Sequence, residues 1–128
     1  MTVKNISNYS TFGEYITAMR KRREITSLAM SEMLDISPGY YCDIEKNRGK
    51  PPERNMLAKM IELLRLTQTE IDTFYDLAGK ARHEAPPDLP DYINENRAVR
   101  LALRLAKDKG TEDDWYRFIR ELENREGG

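Results

Sequence analysis

Catalysis has few places to reside in this chain. It holds one histidine, His83, and one cysteine, Cys42, which stand 41 positions apart. That spacing sets up neither a nucleophile–base pair nor a Cys/His ligand group. The acids fall in mixed runs with no isolated carboxylate pair in an apolar setting, and no glycine-rich phosphate loop occurs. We therefore expect no enzyme, no metal and no cofactor, and Cys42 is read as inert packing. What remains is the chemistry of cations and free backbone donors. Arg20-Lys21-Arg22-Arg23 and Arg48-Gly49-Lys50 form two basic clusters suited to anionic oxygens. For Lys21 and Arg22 the plainer expectation is a solvated helix end.

Between those clusters lies Thr26–Glu45, TSLAMSEMLDISPGYYCDIE, which must be positioned by everything else. Its pattern predicts two short helices and a sharp turn. Thr26 can cap the first, and Ala29, Met30, Met33 and Leu34 give it an apolar face. Ser37 can cap the second, with Pro38 at its first position, where a missing N–H costs nothing. Tyr41 and Ile44 face inward, Tyr40 outward, and Ile36 in the turn plugs the core. Asn47 suits a left-handed C-cap. A pair this short cannot bury its own apolar face and needs flanking helices.

The flanks supply them. Residues 1–10 read as a polar arm. Thr11 and Glu14 fit a capping box opening a helix with Phe12, Ile16 and Met19 inward. Pro52 is expected to start a fourth helix burying Leu57, Met60, Ile61 and Leu64. Thr67 and Glu70 form a second capping box, opening a fifth helix that buries Ile71, Phe74, Tyr75 and Ala78. Residues 83–90, with three prolines, read as a linker after a domain spanning 11–82. Beyond it, residues 91–125 read as a two-helix hairpin. Asp91 caps its first helix, whose broad face holds Ile93, Val99, Leu101, Ala102, Leu103, Leu105 and Ala106, and Gly110 ends it. Thr111 and Asp114 cap the second, where Trp115, Phe118, Ile119 and Leu122 recur at i, i+3, i+4 and i+7. That stripe is a candidate dimer or partner interface, with packing onto the fifth helix as the plainer use.

Composition sets the outer bounds. Charged residues make up 34% of the 128, which suits a helical, water-facing chain. No apolar run approaches the ~18 residues of a membrane span, and a lone cysteine makes cytoplasmic the expected location. The net charge of −1 argues against a polyanion partner, but its distribution does not: residues 1–60 carry ten bases and seven acids, residues 61–128 eleven bases and fifteen acids.

With Asp35–Glu53, DISPGYYCDIEKNRGKPPE, in view, residues 12–78 resemble the Xre / lambda-repressor-like helix-turn-helix transcriptional regulators. The shared marks are Ser-Pro opening the third helix, Ile-Glu near its end and a basic, Pro-terminated loop after it; Leu89–Leu122 resembles a continuation seen in some bacterial members. The resemblance implies an all-α fold, a five-helix lambda-repressor-like domain followed by the helical hairpin. It also implies double-stranded DNA as partner, a homodimer, and a third helix in the major groove. Carried over by position, Thr26 and Ser27 would meet a phosphate, with Tyr40, Arg48, Lys50 and Arg54 as further backbone contacts. Pro38, Gly39 and Asp43 would lie at the bases, Ser37 would be a further DNA-binding position, and Lys4 would lie near an adjacent groove. The family often ties an arginine of the first helix to the Ile-Glu glutamate, which here implies a buried, bidentate Arg20–Glu45 pair. Two departures thin the readout: Ser27 replaces the usual glutamine, and Gly39 stands where a polar base-reader is common. The expected role is a repressor. The alternatives are an antitoxin that grips a toxin and regulates its own operon, and an interaction module that no longer binds DNA.

Overall fold

A computed structural model describes residues 9–126, so the Lys4 contact and most of the arm lie outside the described residues. All regular structure among them is helical. The chain divides after Pro90 into two units. The first contains α1 (Phe12–Arg22), α2 (Ser27–Leu34), α3 (Pro38–Glu45), α4 (Arg54–Leu64) and α5 (Gln68–Arg82).

One local device makes most of the corners. Glu24-Ile25-Thr26, Asp35-Ile36-Ser37 and Arg65-Leu66-Thr67 each run as a left-handed residue, an aliphatic residue and a hydroxyl N-cap. The left-handed N–H closes back three residues, and the aliphatic N–H closes back five, as in Ile25 to the Arg20 carbonyl and Ile36 to that of Ser31. Those bonds satisfy the orphan carbonyls of the ending helix. The aliphatic side chains Ile25, Ile36 and Leu66 then pack against the core. The hydroxyl starts the next helix by accepting an amide N–H: Ala29 to Thr26 at 3.0 Å, Tyr40 to Ser37 at 3.1 Å, Glu70 to Thr67 at 3.3 Å. Asn47, left-handed as expected, ends α3 in the same two-bond pattern.

The corners fold five apolar faces onto one core. Phe12, Ile16 and Met19 of α1 meet Met30 and Leu34 of α2, Tyr41 and Ile44 of α3, Leu57, Met60 and Leu64 of α4, and Phe74 and Ala78 of α5. Phe12 and Phe74 join α1 to α5 edge to face, with ring centroids 5.1 Å apart. Tyr15 and Leu77 are buried as well. Met33, by contrast, is exposed, and Ile61, Ile71 and Tyr75 are only half-buried, because each stands at the margin of its helix's inner face.

Three boundaries differ from the sequence reading. The Thr11 hydroxyl accepts from the Glu14 amide as expected, but the Glu14 carboxylate takes the N–H and hydroxyl of Ser10, one residue further back. Helix α4 starts at Arg54 with Glu53 at its N-cap, since Pro51 and Pro52 are drawn into buried positions instead. Arg82 holds that segment by donating to the Pro51 carbonyl. The Pro-rich stretch is no free linker: a Cβ built on Gly79 would lie 2.8 Å from the Pro86 nitrogen, so that backbone rests on α5.

Helix α6 (Pro90–Glu95) begins at the division, and α7 (Arg97–Lys109) and α8 (Glu112–Glu126) follow in the second unit. One helix expected from the Asp91 cap is therefore two, and Asp91 lies inside the first turn. Asn96 breaks them by going extended, at φ −127° and ψ 101°. Side chains stabilise the break: Asn96 donates to the Tyr92 carbonyl at 2.7 Å, and Arg100 to that of Ile93 at 3.0 Å. The Thr111–Asp114 capping box forms as expected. Helices α7 and α8 join at Gly110, where Leu105, Ala106 and Lys109 of one and Asp114, Trp115 and Phe118 of the other line a common hollow, and no described side chain of either is buried.

The tightest joint in the first unit is Gly13 against the end of α3. Its N–H donates to Asn47 Oδ1 at 2.8 Å, and a Cβ there would fall 2.2 Å from the Glu45 carbonyl oxygen. Gly13→Ala should force α1 off α3 and destabilise the domain by roughly 1–3 kcal/mol. Urea denaturation measures this, and an unchanged midpoint would contradict so close an approach.

Candidate nucleic-acid interface

Helix α3 has one buried and one open side. Tyr41 and Ile44 are buried, while Ser37, Pro38, Gly39 and Tyr40 are exposed and Asp43 half-exposed. Nothing lies within 4 Å of a Cβ built on Gly39, so the open side is flat there. The three-residue turn places α2 directly against α3. Thr26 is exposed and Ser27 half-exposed at the start of α2, where a helix N-terminus offers donors and a positive dipole end. Arg48 and Lys50 are exposed in the loop after α3, and Arg54 at the start of α4. All ten of these positions are at least half-exposed, and Lys50 lines a hollow with Thr11, Leu77 and Lys80 on the side of α1 and α5. Leu28, 55% exposed in the first turn of α2, belongs with them and was not singled out from sequence; its place off the Met30–Leu34 spacing is the signal.

The open side is held from behind by an ion pair. Arg20 Nε donates to Glu45 Oε2 at 2.6 Å and Nη2 to Oε1 at 3.1 Å, with both side chains about nine-tenths buried. Arg20 Nη1 also donates to the Ile25 carbonyl at 2.8 Å, and the Tyr41 hydroxyl donates to Glu45 Oε2. Every side-chain polar atom buried among the described residues has a partner. Burial alone would raise the Glu45 carboxyl, but the Arg20 hydrogen bonds, the Tyr41 hydroxyl and the Arg20 charge outweigh it and hold it below the usual carboxylate value. Burial, then the Glu45 carboxylate, pushes the Tyr41 phenol far up. Three groups from α1 and α3 thus form one satisfied cluster.

The other arginines of the Arg20–Arg23 run are structural too. Arg22, expected to be a solvated helix end, makes two parallel bonds to Glu70 at 2.6 and 3.0 Å. Arg23 donates to the Leu64 and Arg65 carbonyls at 2.8 and 2.7 Å, which satisfies the end of α4. Such contacts lie more than forty positions apart in sequence, so local spacing could not reveal them. Glu70 is held down to about 2, first by the Arg22 hydrogen bonds and then by the Thr67 amide.

The face itself is only weakly cationic. Asp43 pairs with Arg48 at 3.2 Å, both largely solvated. Such a pair contributes little to stability but partly neutralises the acid nearest the open side. Among the described residues no group of acids, histidine and cysteine is placed to hold a metal ion, and no helix is long and apolar enough to cross a membrane. In the second unit, Trp115, Phe118, Ile119 and Leu122 line up on α8 and all remain exposed. Comparison of the chain with models of protein families, with curated proteins and with solved structures gave no match.

Two outcomes follow from the ion pairs. Arg20→Ala leaves the Glu45 carboxylate buried without its main partner, which costs about 3–5 kcal/mol and lowers the thermal midpoint; melting at the wild-type temperature would disprove the pairing. The second outcome concerns acid. Glu70 titrates near 4.5 when unperturbed and near 2 in the folded chain. The unfolded state therefore binds more protons in that window, and stability falls as pH drops through it. Denaturation midpoints measured from pH 5 to pH 2 should decline, and less steeply in Glu70→Gln; identical slopes would show that Glu70 is not the group titrating.

Proposed function

We propose that this chain is a transcriptional regulator of the helix-turn-helix type, in which α2 and α3 form the DNA-binding pair. It binds a specific double-stranded site as a homodimer, with α3 in the major groove, and acts most simply as a repressor by occupying an operator. The observation that carries this reading is the α2–turn–α3 pair itself. It is braced from inside by Arg20, Glu45 and Tyr41, and its outer side is open and free of core contacts.

In this reading the α2 N-terminus and Thr26, Ser27, Tyr40, Arg48, Lys50 and Arg54 meet phosphates, which set position and affinity. Pro38, Gly39 and Asp43 face the bases. Asp43 can accept from cytosine N4, and the flat Gly39 position allows backbone to approach the base edges. Base-directed hydrogen bonds are few, so selectivity would lean on the shape and deformability of the site. The bare Gly39 position and the Asp43–Arg48 pair favour one other reading, a protein-interaction module that keeps the architecture without binding DNA.

Titration against a pool of genomic fragments at about 50 and 200 mM salt separates the two. A regulator forms a specific complex whose affinity drops steeply with salt. Lys50→Ala should weaken it across all sequences and reduce the salt slope by about 1. Absence of any complex at the lower salt would overturn the DNA reading.

A further inference from the structure

A hollow of about 290 Å³ opens on the first unit where α1, the loop after α3 and α5 come together. Phe12, Ile44, Pro51 and Leu77 are buried and form its inner wall, while Lys50, Lys80 and His83 stand exposed at its rim. That volume is at the lower end for small-molecule sites, whose walls are mostly apolar with a few placed polar groups. The polar groups here decide what it can hold.

Most polar side chains of the lining are left as donors. Lys50 and Lys80 come from different elements, and no aspartate or glutamate lines the hollow. Neither lysine has an ion-pair partner among the described residues. Thr11 gives the more specific signal. A hydroxyl has two acceptor sites and one proton. Thr11 Oγ1 accepts from the Glu14 amide at 3.1 Å and from Asn47 Nδ2 at 3.0 Å, so its proton is what it has left. Asn47 spends its oxygen on the Gly13 amide at 2.8 Å and keeps its second amide proton. Cations and donors over an apolar wall suit an anion with an apolar body. The segment leading into Ser10 does not bring that anion, since the eight residues ahead of Tyr9 carry Lys4 and no acid. The nearby Glu14 carboxylate is engaged by Ser10, at 2.9 and 3.1 Å.

We propose that this hollow binds a small carboxylate whose apolar body is about the size of one aromatic ring. The carboxylate lies between Lys50, Lys80 and the Thr11 hydroxyl, and the body lies against Phe12, Ile44 and Leu77. Such a ligand touches α1, the end of α3 and α5 at once. On the regulator reading Lys50 is also a phosphate contact, so the carboxylate would act as an effector that weakens DNA binding, and DNA would weaken its binding in return. The site itself does not rest on that reading, and its test contains no DNA.

The test titrates benzoate into the isotope-labelled full chain at constant ionic strength and follows backbone amide NMR shifts. Benzoate should saturate with a Kd of about 10 mM or tighter, as a ligand of so few atoms allows. The moving amides should be those of Thr11, Gly49, Lys80 and Ala81, which line the hollow. Two further probes divide the chemistry. Benzamide keeps the ring without the charge and acetate keeps the charge without the ring; each should bind at least about tenfold more weakly. Lys80→Gln changes an exposed side chain outside the proposed DNA contacts, and should weaken benzoate about fivefold. Lys21→Gln, equally exposed at the far end of α1, should leave its affinity unchanged. Both variants should melt as wild type does, which shows that they fold. Shifts that never saturate, or that spread over exposed lysines generally, overturn the proposal. Benzamide binding as tightly as benzoate also overturns it, because the hollow then takes an apolar body without reading charge. Acetate binding as tightly shows only solvated cations, and an unchanged affinity in Lys80→Gln places benzoate elsewhere; either result overturns the site.

Discussion

The buried Arg20–Glu45 pair, with Tyr41 donating to the same carboxylate, is the constraint on which the geometry of α3 depends. Helix α3 is eight residues long and buries only Tyr41 and Ile44, too little apolar surface to fix its rotation or height. The ion pair adds direction. A guanidinium presenting two parallel N–H groups to a carboxylate accepts one orientation, and departures from it leave a charge uncompensated in the interior. Gly13 sets the remaining freedom by letting α1 touch the last turn of α3. Asn47 then closes the joint, accepting from the Gly13 amide and donating to Thr11 at 3.0 Å. Orientation, distance and termination of α3 are thus fixed by three contacts on one side, and the other side is free for a partner.

Much of this was written locally and could be read in the chain. Hydroxyl N-caps located four helices of the first unit, and apolar spacing the body of α4, because both act within one turn of the residue that carries them. The stops were harder. Glu24, Asp35, Arg65 and His83 end helices in the left-handed conformation without being glycine, at a cost of roughly 1–2 kcal/mol each relative to the right-handed region. They succeed because the next residue, Ile25, Ile36 or Leu66 at three of the corners, is pulled into the core. Only Asn47 advertised itself by type. The Arg20–Glu45 pair was legible through the family resemblance, whereas Arg22, Arg23 and Arg82 act at long range on groups that no local pattern identifies. The split at Asn96 was hidden by apolar spacing that runs through it, since periodicity reports faces and says little of breaks.

The open side of α3 was legible as positions and not as chemistry. Spacing separated Tyr40 from Tyr41, and the structure places the first outside and the second in the core. What the face would do to a nucleic acid depends on pairing that sequence leaves open. Arg48 is engaged with Asp43, so its charge is shared between an acid and whatever approaches. A phosphate arriving at Arg48 would compete with that carboxylate, and exposed pairs are weak enough to be displaced. If the proposed DNA-binding role holds, the pair would act as a mild brake on nonspecific affinity: a backbone contact would gain one cation but strand an acid near the groove unless cytosine N4 received it. That makes the two residues a coupled choice between positioning and readout.

The two units solve the problem of polar and apolar groups in opposite ways. In the first, corners, caps and arginines leave no buried side-chain polar atom without a partner, and the apolar faces are used up by the core. A unit in that condition has little left with which to bind its own copy except its solvated surface. In the second, the helices are capped at Thr111 and braced at Asn96, so their ends are satisfied while their faces are not. Helix ends are local and can be completed by a few adjacent residues, but a face of several leucines and aromatics can be completed only by another face.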